Sequence, residues 1–462
     1  MARLKTAFFC TDCGNEAARW QGQCPACGSW NTLVEEPSRP ARNARSVAAA
    51  PVADPVRLSE VEGADAARWA TGARELDFVL GGGIVPGSIV LVGGEPGIGK
   101  STLLLQAAAR LQASGRTTLY VSGEESAAQV RMRADRLQEP AGDVVFLGET
   151  RLEAILDVVS RDRPDALFID SIQTVYSGDY DGAAGSVTQV RECAARLQRL
   201  AKETGSAVFL IGHVTKGGTV AGPKTLEHIV DTVLYFEETG TLDHRVLRST
   251  KNRFGAADEL GVFRMTAAGL EPVANPSELF IRDRADGVSG TAVAAVIEGT
   301  RPLLVEVQAL CARASYGAPQ RVATGFDRQR LALLLAVMEK RAGIDFSALD
   351  VFINVVGGIR IAETASDAAL LAALASSVYD LPTDPSAVFL GEVGLGGELR
   401  PIGQLERRLA EAARMGFRTA YFPGRAGGRA PSGSDMVLVP AATVGELVQR
   451  LFGRAASAGA PQ

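Results

Sequence analysis

Residues Gly94-Glu95-Pro96-Gly97-Ile98-Gly99-Lys100-Ser101 fit the G-x-x-x-x-G-K-S/T pattern of a phosphate-binding loop, and Thr102 carries the chain onward. Glycines let the backbone curl so that successive N–H groups point inward. The positive end of the following helix adds to the field, and together they hold a polyphosphate. In such a loop Lys100 reaches the β- and γ-phosphates of a bound ATP or GTP, and the Ser101 hydroxyl ligates Mg²⁺. Asp170 closes the apolar run Ala166-Leu167-Phe168-Ile169, the place from which a carboxylate holds the water shell of that Mg²⁺. Glu124 and Glu125 follow the run Thr118-Leu119-Tyr120-Val121, and a carboxylate at such a strand tip can polarise an attacking water. Adjacent side chains diverge, so one of the two serves; we assign Glu124.

A second chemistry sits at the amino terminus. Cys10-x-x-Cys13 and Cys24-x-x-Cys27 each end on a glycine, Gly14 and Gly28. Two such knuckles turn four thiolates toward one point, the tetrahedral geometry of structural Zn²⁺. A redox pair needs one C-x-x-C within a βα unit, and paired disulfides do not suit a reducing compartment. So small a module has little core, and metal binding supplies most of its folding energy. Cys193 and Cys311 stand alone and read as buried apolar thiols.

The elements that must position these groups are legible as alternation. Ser88-Ile89-Val90-Leu91-Val92 is a strand feeding the phosphate loop, and a helix runs from Thr102 through Leu103, Leu104 and Leu105. Short apolar runs alternating with helical patterns predict a mostly parallel sheet with crossover helices. The strand Ala207-Val208-Phe209-Leu210-Ile211 ends at Gly212-His213, where a polar side chain beside the phosphates can sense the γ-phosphate. The glycine-rich Thr215-Lys216-Gly217-Gly218 follows. Lys251-Asn252-Arg253-Phe254-Gly255 comes after Arg245 and Arg248 without an intervening acid. It reads either as a solvated basic strand or as one whose Lys251 and Arg253 reach a neighbouring subunit's γ-phosphate.

The chain has 462 residues, enough for two or three domains, and is 46% hydrophobic with a net charge of −5. That charge excludes a global field for nucleic acid and leaves local patches to do the work. No apolar stretch approaches the eighteen or so residues of a membrane span, and no apolar signal core follows Met1; a cytoplasmic protein without membrane contact is expected. The expected organisation is a four-cysteine zinc module over 1–35 and a flexible linker over 36–56 that leaves the module tethered and mobile. An ATPase domain over 57–270, a second domain over 271–453 and a disordered tail over 454–462 complete it.

Taken in order, these residues resemble the RadA, or Sms, family of bacterial DNA-repair proteins. The carriers are Thr71-Gly72, Glu75-Leu76-Asp77, Gly81-Gly82-Gly83, the phosphate loop through Thr102, and Tyr120-Val121-Ser122-Gly123-Glu124-Glu125-Ser126. Gly212-His213-Val214-Thr215-Lys216, Lys251 to Gly255 and the cysteine module complete the set. The resemblance implies an α/β RecA-like P-loop ATPase core using ATP, assembled as a hexameric ring. It implies a DnaB-like motor on single-stranded and branched DNA that drives branch migration with the RecA recombinase. By similarity, Lys251 and Arg253 complete a neighbour's ATP site, His213 is the γ-phosphate sensor, and the segments 176–187 and 214–225 are the DNA loops. Lys216 and Lys224 then become phosphate contacts, with salt-sensitive binding.

Beyond Glu271 the chain, with Leu390 to Gly403, resembles the proteolytic domain of Lon, an α+β fold. The match places Ala365 at the nucleophilic serine and Glu406 at the lysine. Ser366 is one residue off, about 100° around a helix. After Glu271 there is no histidine and one lysine, Lys340, so the fold is expected without its peptidase. Arg313, Arg321, Arg328 and Arg330 suit either DNA binding or a solvated face. An ATP-dependent protease and a nucleotide-switched signalling ring remain the competing classes, the first opposed by Ala365 and Glu406, the second by the zinc knuckles.

Overall fold

The computed structural model describes residues 5–11, 15–38, 57, 68–137, 139–213, 223–238, 243–281, 284, 287–314, 318–424, 427 and 429–457. The linker beyond Ser38, Cys13, Lys216 and the last five residues of the tail lie outside them. The chain divides into two compact units after Val273.

The first unit begins with a small antiparallel sheet of order β2-β1-β3, from β1 (Lys5–Cys10), β2 (Glu16–Ala17) and β3 (Leu33–Ser38). Helix α1 (Arg74–Val79) leads to β4 (Ile89–Gly94), the phosphate loop and α2 (Lys100–Ala113). Then come β5 (Thr118–Ser122), α3 (Ala127–Leu137), β6 (Val145–Leu147), α4 (Leu152–Asp162), β7 (Ala166–Asp170), α5 (Val187–Thr204) and β8 (Ala207–His213). The strands β9 (Thr232–Glu238), β10 (His244–Asn252), β11 (Leu260–Thr266) and β12 (Gly269–Pro272) follow. These form one nine-stranded sheet, β12-β11-β10-β9-β4-β8-β7-β5-β6. From β9 to β6 all neighbours are parallel, and β10 to β12 extend the sheet antiparallel.

Buried on both faces, β4, β5 and β7 read in sequence as continuous apolar runs. One face packs Leu76, Leu103, Leu104 and Phe263; the other packs Ile155, Val159, Val190 and Leu197. The carboxyl ends of β4, β5, β7 and β8 lie side by side, the edge where open parallel sheets bind ligands. This is the expected α/β RecA-like core. Because β12 is its edge strand, the unit closes after Val273 rather than at residue 270. The zinc module belongs to it as well: Phe9 sits in the same apolar cluster as Leu226 and Val230, and Thr225 Oγ1 donates to Thr11 O at 3.2 Å. The module is therefore docked, not merely tethered, because its first strand carries an aromatic ring that the ATPase core can bury.

The second unit is α+β. It comprises α6 (Pro276–Ile281), β13 (Thr291–Glu298), β14 (Arg301–Arg313), β15 (Arg321–Thr324), α7 (Arg328–Val337), β16 (Leu349–Val355), α8 (Asp367–Tyr379), β17 (Ala387–Phe389), β18 (Glu392–Val393) and β19 (Leu399–Arg400). It ends with α9 (Leu405–Arg414), β20 (Thr419–Pro423), β21 (Val437–Ala441) and α10 (Val444–Ser457). Its main sheet has the order β15-β16-β14-β13-β17-β20-β21. The helix predicted from Gln329 to Arg341 is regular only to Val337 and finishes as a wide π turn over Met338–Ala342. Helix α10 kinks at Gly453 (φ +28°), and a last turn reaches Ser457, into the stretch read as tail.

Candidate active site

Strand β4 ends on Gly94, and the loop turns through Gly97 and Gly99 at φ +80° and +118°, left-handed values that favour glycine. At Gly99 a Cβ would also lie 2.9 Å from Met265 Cε. Lys100 opens α2 almost fully buried, and its Nζ donates to Gly94 O at 2.9 Å and Glu95 O at 2.8 Å. Burial lowers its pKa to about 8, against the opposing pull of Asp170 and Glu124. Ser101 and Thr102, half-buried, follow on the same turn.

Asp170 and Ser171 at the end of β7 face the tip of β5. Tyr120 Oη donates to Asp170 Oδ2 at 2.8 Å, whereas Asp170 Oδ1 is buried with no hydrogen-bond partner among the described residues. An orphaned carboxylate oxygen beside a phosphate loop fits a Mg²⁺ water shell. Ser171 Oγ donates to Glu124 Oε1 at 2.5 Å, and His213 Nε2, from the end of β8, stands 3.5 Å from the same oxygen. His213 foremost, with Ser171 and the charge of Lys100, outweighs burial and takes the Glu124 pKa down to about 2. Glu124 is thus ionised throughout the neutral range. Glu125 turns the other way and pairs with Arg133 of α3. The two glutamates diverge, Glu124 toward Ser171 and His213 and Glu125 toward Arg133. Among the described residues His213 Nδ1 is buried without a hydrogen-bond partner.

Ser171 and Arg133 were not singled out by sequence reasoning. A serine after the strand-end acid is a weak signal, and Arg133 meets Glu125 across a turn and two turns of helix. Cys193 is buried, its thiol pushed up to about 12, while Cys311 is half-buried at about 11, both by burial.

Lys251 Nζ donates to Glu227 O at 2.6 Å and Val230 O at 2.8 Å, which ties it into its own chain. Arg253 is half-exposed, with Nη1 3.4 Å from Asp231 Oδ1, and the other oxygen of Asp231 accepts from Ile89 N at the root of β4. The pentapeptide also rests on the three-glycine turn. Cβ atoms at Gly81 or Gly255 would meet the other's Cα at 3.0 and 2.9 Å, and Arg68 Nη2 donates to Phe254 O. Other family marks are structural: Asp77 accepts from Thr71 N and Glu75 from Val262 N.

Of the expected DNA loops, 214–222 lies outside the described residues. Lys224 is exposed on the short 3₁₀ turn Pro223–Thr225. The 176–187 segment is held by Gln189, whose side chain accepts from Ser177 N at 2.9 Å and donates to Ser177 O and Tyr180 O at 3.1 and 2.7 Å.

At the zinc module, the Sγ atoms of Cys10, Cys24 and Cys27 lie within 4.8 Å of one another, Cys10 and Cys27 at 3.6 Å. Tetrahedral thiolates about 2.3 Å from Zn²⁺ stand about 3.8 Å apart, so the donor set fits that ion. In the second unit Ala365 is buried, Ser366 Oγ donates to Glu363 O at 3.1 Å, and Lys340 and Glu406 are exposed. Arg408 holds the Glu363 carboxylate at 2.6 and 2.7 Å. Of the four arginines noted above, Arg330 pairs with buried Asp367 and Arg321 donates to the carbonyls of Leu349 and Phe346.

Residues 53–219 match the AAA domain family, and residues 8–35 match a zinc ribbon described as a rubredoxin metal binding domain. The chain is 48% identical to the DNA repair protein RadA of Halalkalibacterium halodurans over 98% of its own length and 100% of that protein's. It is 46% identical to that of Listeria monocytogenes (97% and 98%) and 47% identical to that of Bacillus subtilis (92% and 93%).

Proposed function

The chain belongs to the RadA family of DNA repair proteins, with an ATP-binding domain and a zinc ribbon, and on that premise we propose that it is a DNA-stimulated ATPase. It moves along single-stranded DNA as a DnaB-like helicase in the cytoplasm and drives branch migration of recombination intermediates with the RecA recombinase. In this reading the phosphate loop and Lys100 bind the polyphosphate. Ser101 and Asp170 hold Mg²⁺, which neutralises charge on the β- and γ-phosphates. Glu124, kept ionised by His213 and Ser171, orients the attacking water and accepts its proton.

The observation that carries the reading is the approach of His213 to Glu124. It connects the base for hydrolysis to the residue from which the 214–225 segment departs. Loss of the γ-phosphate moves His213, and the segment carrying Lys216 and Lys224 moves with it. Half-exposed Arg253 supplies the neighbour's site in a hexameric ring, while Lys251 anchors the far end of the segment through the Glu227 and Val230 carbonyls. A peptidase reading is not favoured, because Ser366 is spent on a backbone carbonyl. The second unit keeps a Lon-like architecture for assembly.

ATP hydrolysis by the purified protein, with and without single-stranded DNA across salt concentrations, tests the proposal. Stimulation that fades as salt rises is expected; turnover indifferent to DNA would overturn it.

A further inference from the structure

Two of the three tryptophans stand in the open on the zinc ribbon: Trp20 is 57% and Trp30 69% exposed. Indoles are normally drawn into a core or an interface, so two on one small module ask for an occupant. Both lie against the same backbone position. A methyl group built on Gly22 would sit 3.7 Å from the Trp30 ring and 3.9 Å from the Trp20 ring. The second knuckle keeps them there through the Gln23–Trp30 bridge and the bond from Asn31 N to Gly22 O at 2.7 Å.

One exposed cation adjoins the pair in sequence. From Ala17 to Val34, apart from the cysteine ligands, the one charged side chain is Arg19, and it is exposed. The ribbon is seated beside a second cation, because Thr225, which donates to Thr11 O, directly follows exposed Lys224. Exposed flat aromatic faces beside a cation are what unpaired bases on a phosphate backbone stack on, and the nearest acids in the chain, Glu16 and Glu35, lie outside the segment that carries the rings.

We propose that Trp20 and Trp30 form a stacking platform for the bases of single-stranded nucleic acid, a grip additional to the ATPase loops and next to the end of the 214–225 segment. The proposal rests on the DNA reading above. It makes the ribbon a sequence-tolerant grip that senses whether bases are unpaired, since a duplex hides their faces.

The test uses the full-length, zinc-loaded protein carrying Trp69→Phe, so that the remaining indole fluorescence comes from the ribbon. The probes are a labelled oligothymidylate and a backbone of the same length lacking bases. Oligothymidylate is expected to quench the indole emission along the same curve as the anisotropy of its own label. Trp20→Leu with Trp30→Leu is expected to weaken it by about tenfold or more per ring and to leave the abasic backbone unaffected. Trp20→Phe with Trp30→Phe retains most of the affinity, which separates ring stacking from apolar bulk. Zinc content checks that the leucine variant keeps its ribbon, and the quench in the parent stands without any variant.

Saturating binding without a quench, or a leucine variant of full zinc content that binds as tightly as its parent, would overturn the platform. It would leave DNA binding by the core intact. Failure of the parent to bind oligothymidylate at all would remove both this inference and the DNA reading.

Discussion

Lys100 makes nucleotide binding a proton-uptake reaction on the alkaline side of neutrality. In the nucleotide-free protein burial lowers its pKa to about 8, against about 10.4 for a free lysine. A polyphosphate in the loop supplies the negative charge that burial withholds, so the bound lysine returns to its ordinary range. Between those two values the complex holds a proton that the free protein lacks, and affinity must fall as pH rises. From pH 7 to pH 9 the free lysine passes from about 91% to about 9% charged, which weakens binding about tenfold, or about 1.4 kcal/mol.

Calorimetric titration with ADP in buffers of different ionisation enthalpy reads the proton count directly. An uptake of about 0.1 proton at pH 7 and about 0.9 at pH 9 is expected. Equal uptake at the two pH values would refute the assignment of a buried, depressed lysine to the phosphate loop. The same depression has a sign in stability. The unfolded chain holds this proton up to a higher pH than the native one, so the nucleotide-free protein gains stability as pH rises from about 8 to about 10.4.

Glu124→Gln should leave nucleotide affinity nearly intact while lowering turnover by about 10²- to 10⁴-fold. Glu125→Gln should act through Arg133 on stability, and single-turnover hydrolysis with a parallel melting curve distinguishes the two; equal loss of turnover in both would refute the division. In the second unit, Asp367→Ala strands Arg330 and removes the acceptor of Val393 N. A loss of about 2–4 kcal/mol is expected in denaturant unfolding, discounted because Arg330 is partly exposed; a loss below about 1 kcal/mol would sink that account.

Much of the candidate site was legible because buried parallel strands write themselves as unbroken apolar runs, each ending at one of its residues: Gly94, Ser122 before Glu124, Asp170, His213. Local chemistry, the phosphate loop and the cysteine knuckles, was equally plain, since spacing alone sets its geometry. What stayed hidden depends on partners distant in sequence. Arg330 reads as a free cation until Asp367, thirty-seven residues on, is seen to hold it. Lys251 reads as a group reaching outward until the carbonyls of Glu227 and Val230 are found around it. Phe9, a single ring near the start of the chain, carries no pattern that could announce docking onto the ATPase core. The π turn after Val337 breaks no periodicity and leaves no trace in composition.

The stretch from Thr225 to Asp231 is pinned along its whole length. Its first residue holds the ribbon, two of its carbonyls take the Lys251 ammonium, and its last carboxylate spans Ile89 and Arg253. Seven residues fastened this often behave as a rocker arm rather than a tether, so a push at one end is delivered at the other without slack. Inserting or deleting a single residue there would put every fastening out of step at once, however well each side chain was preserved.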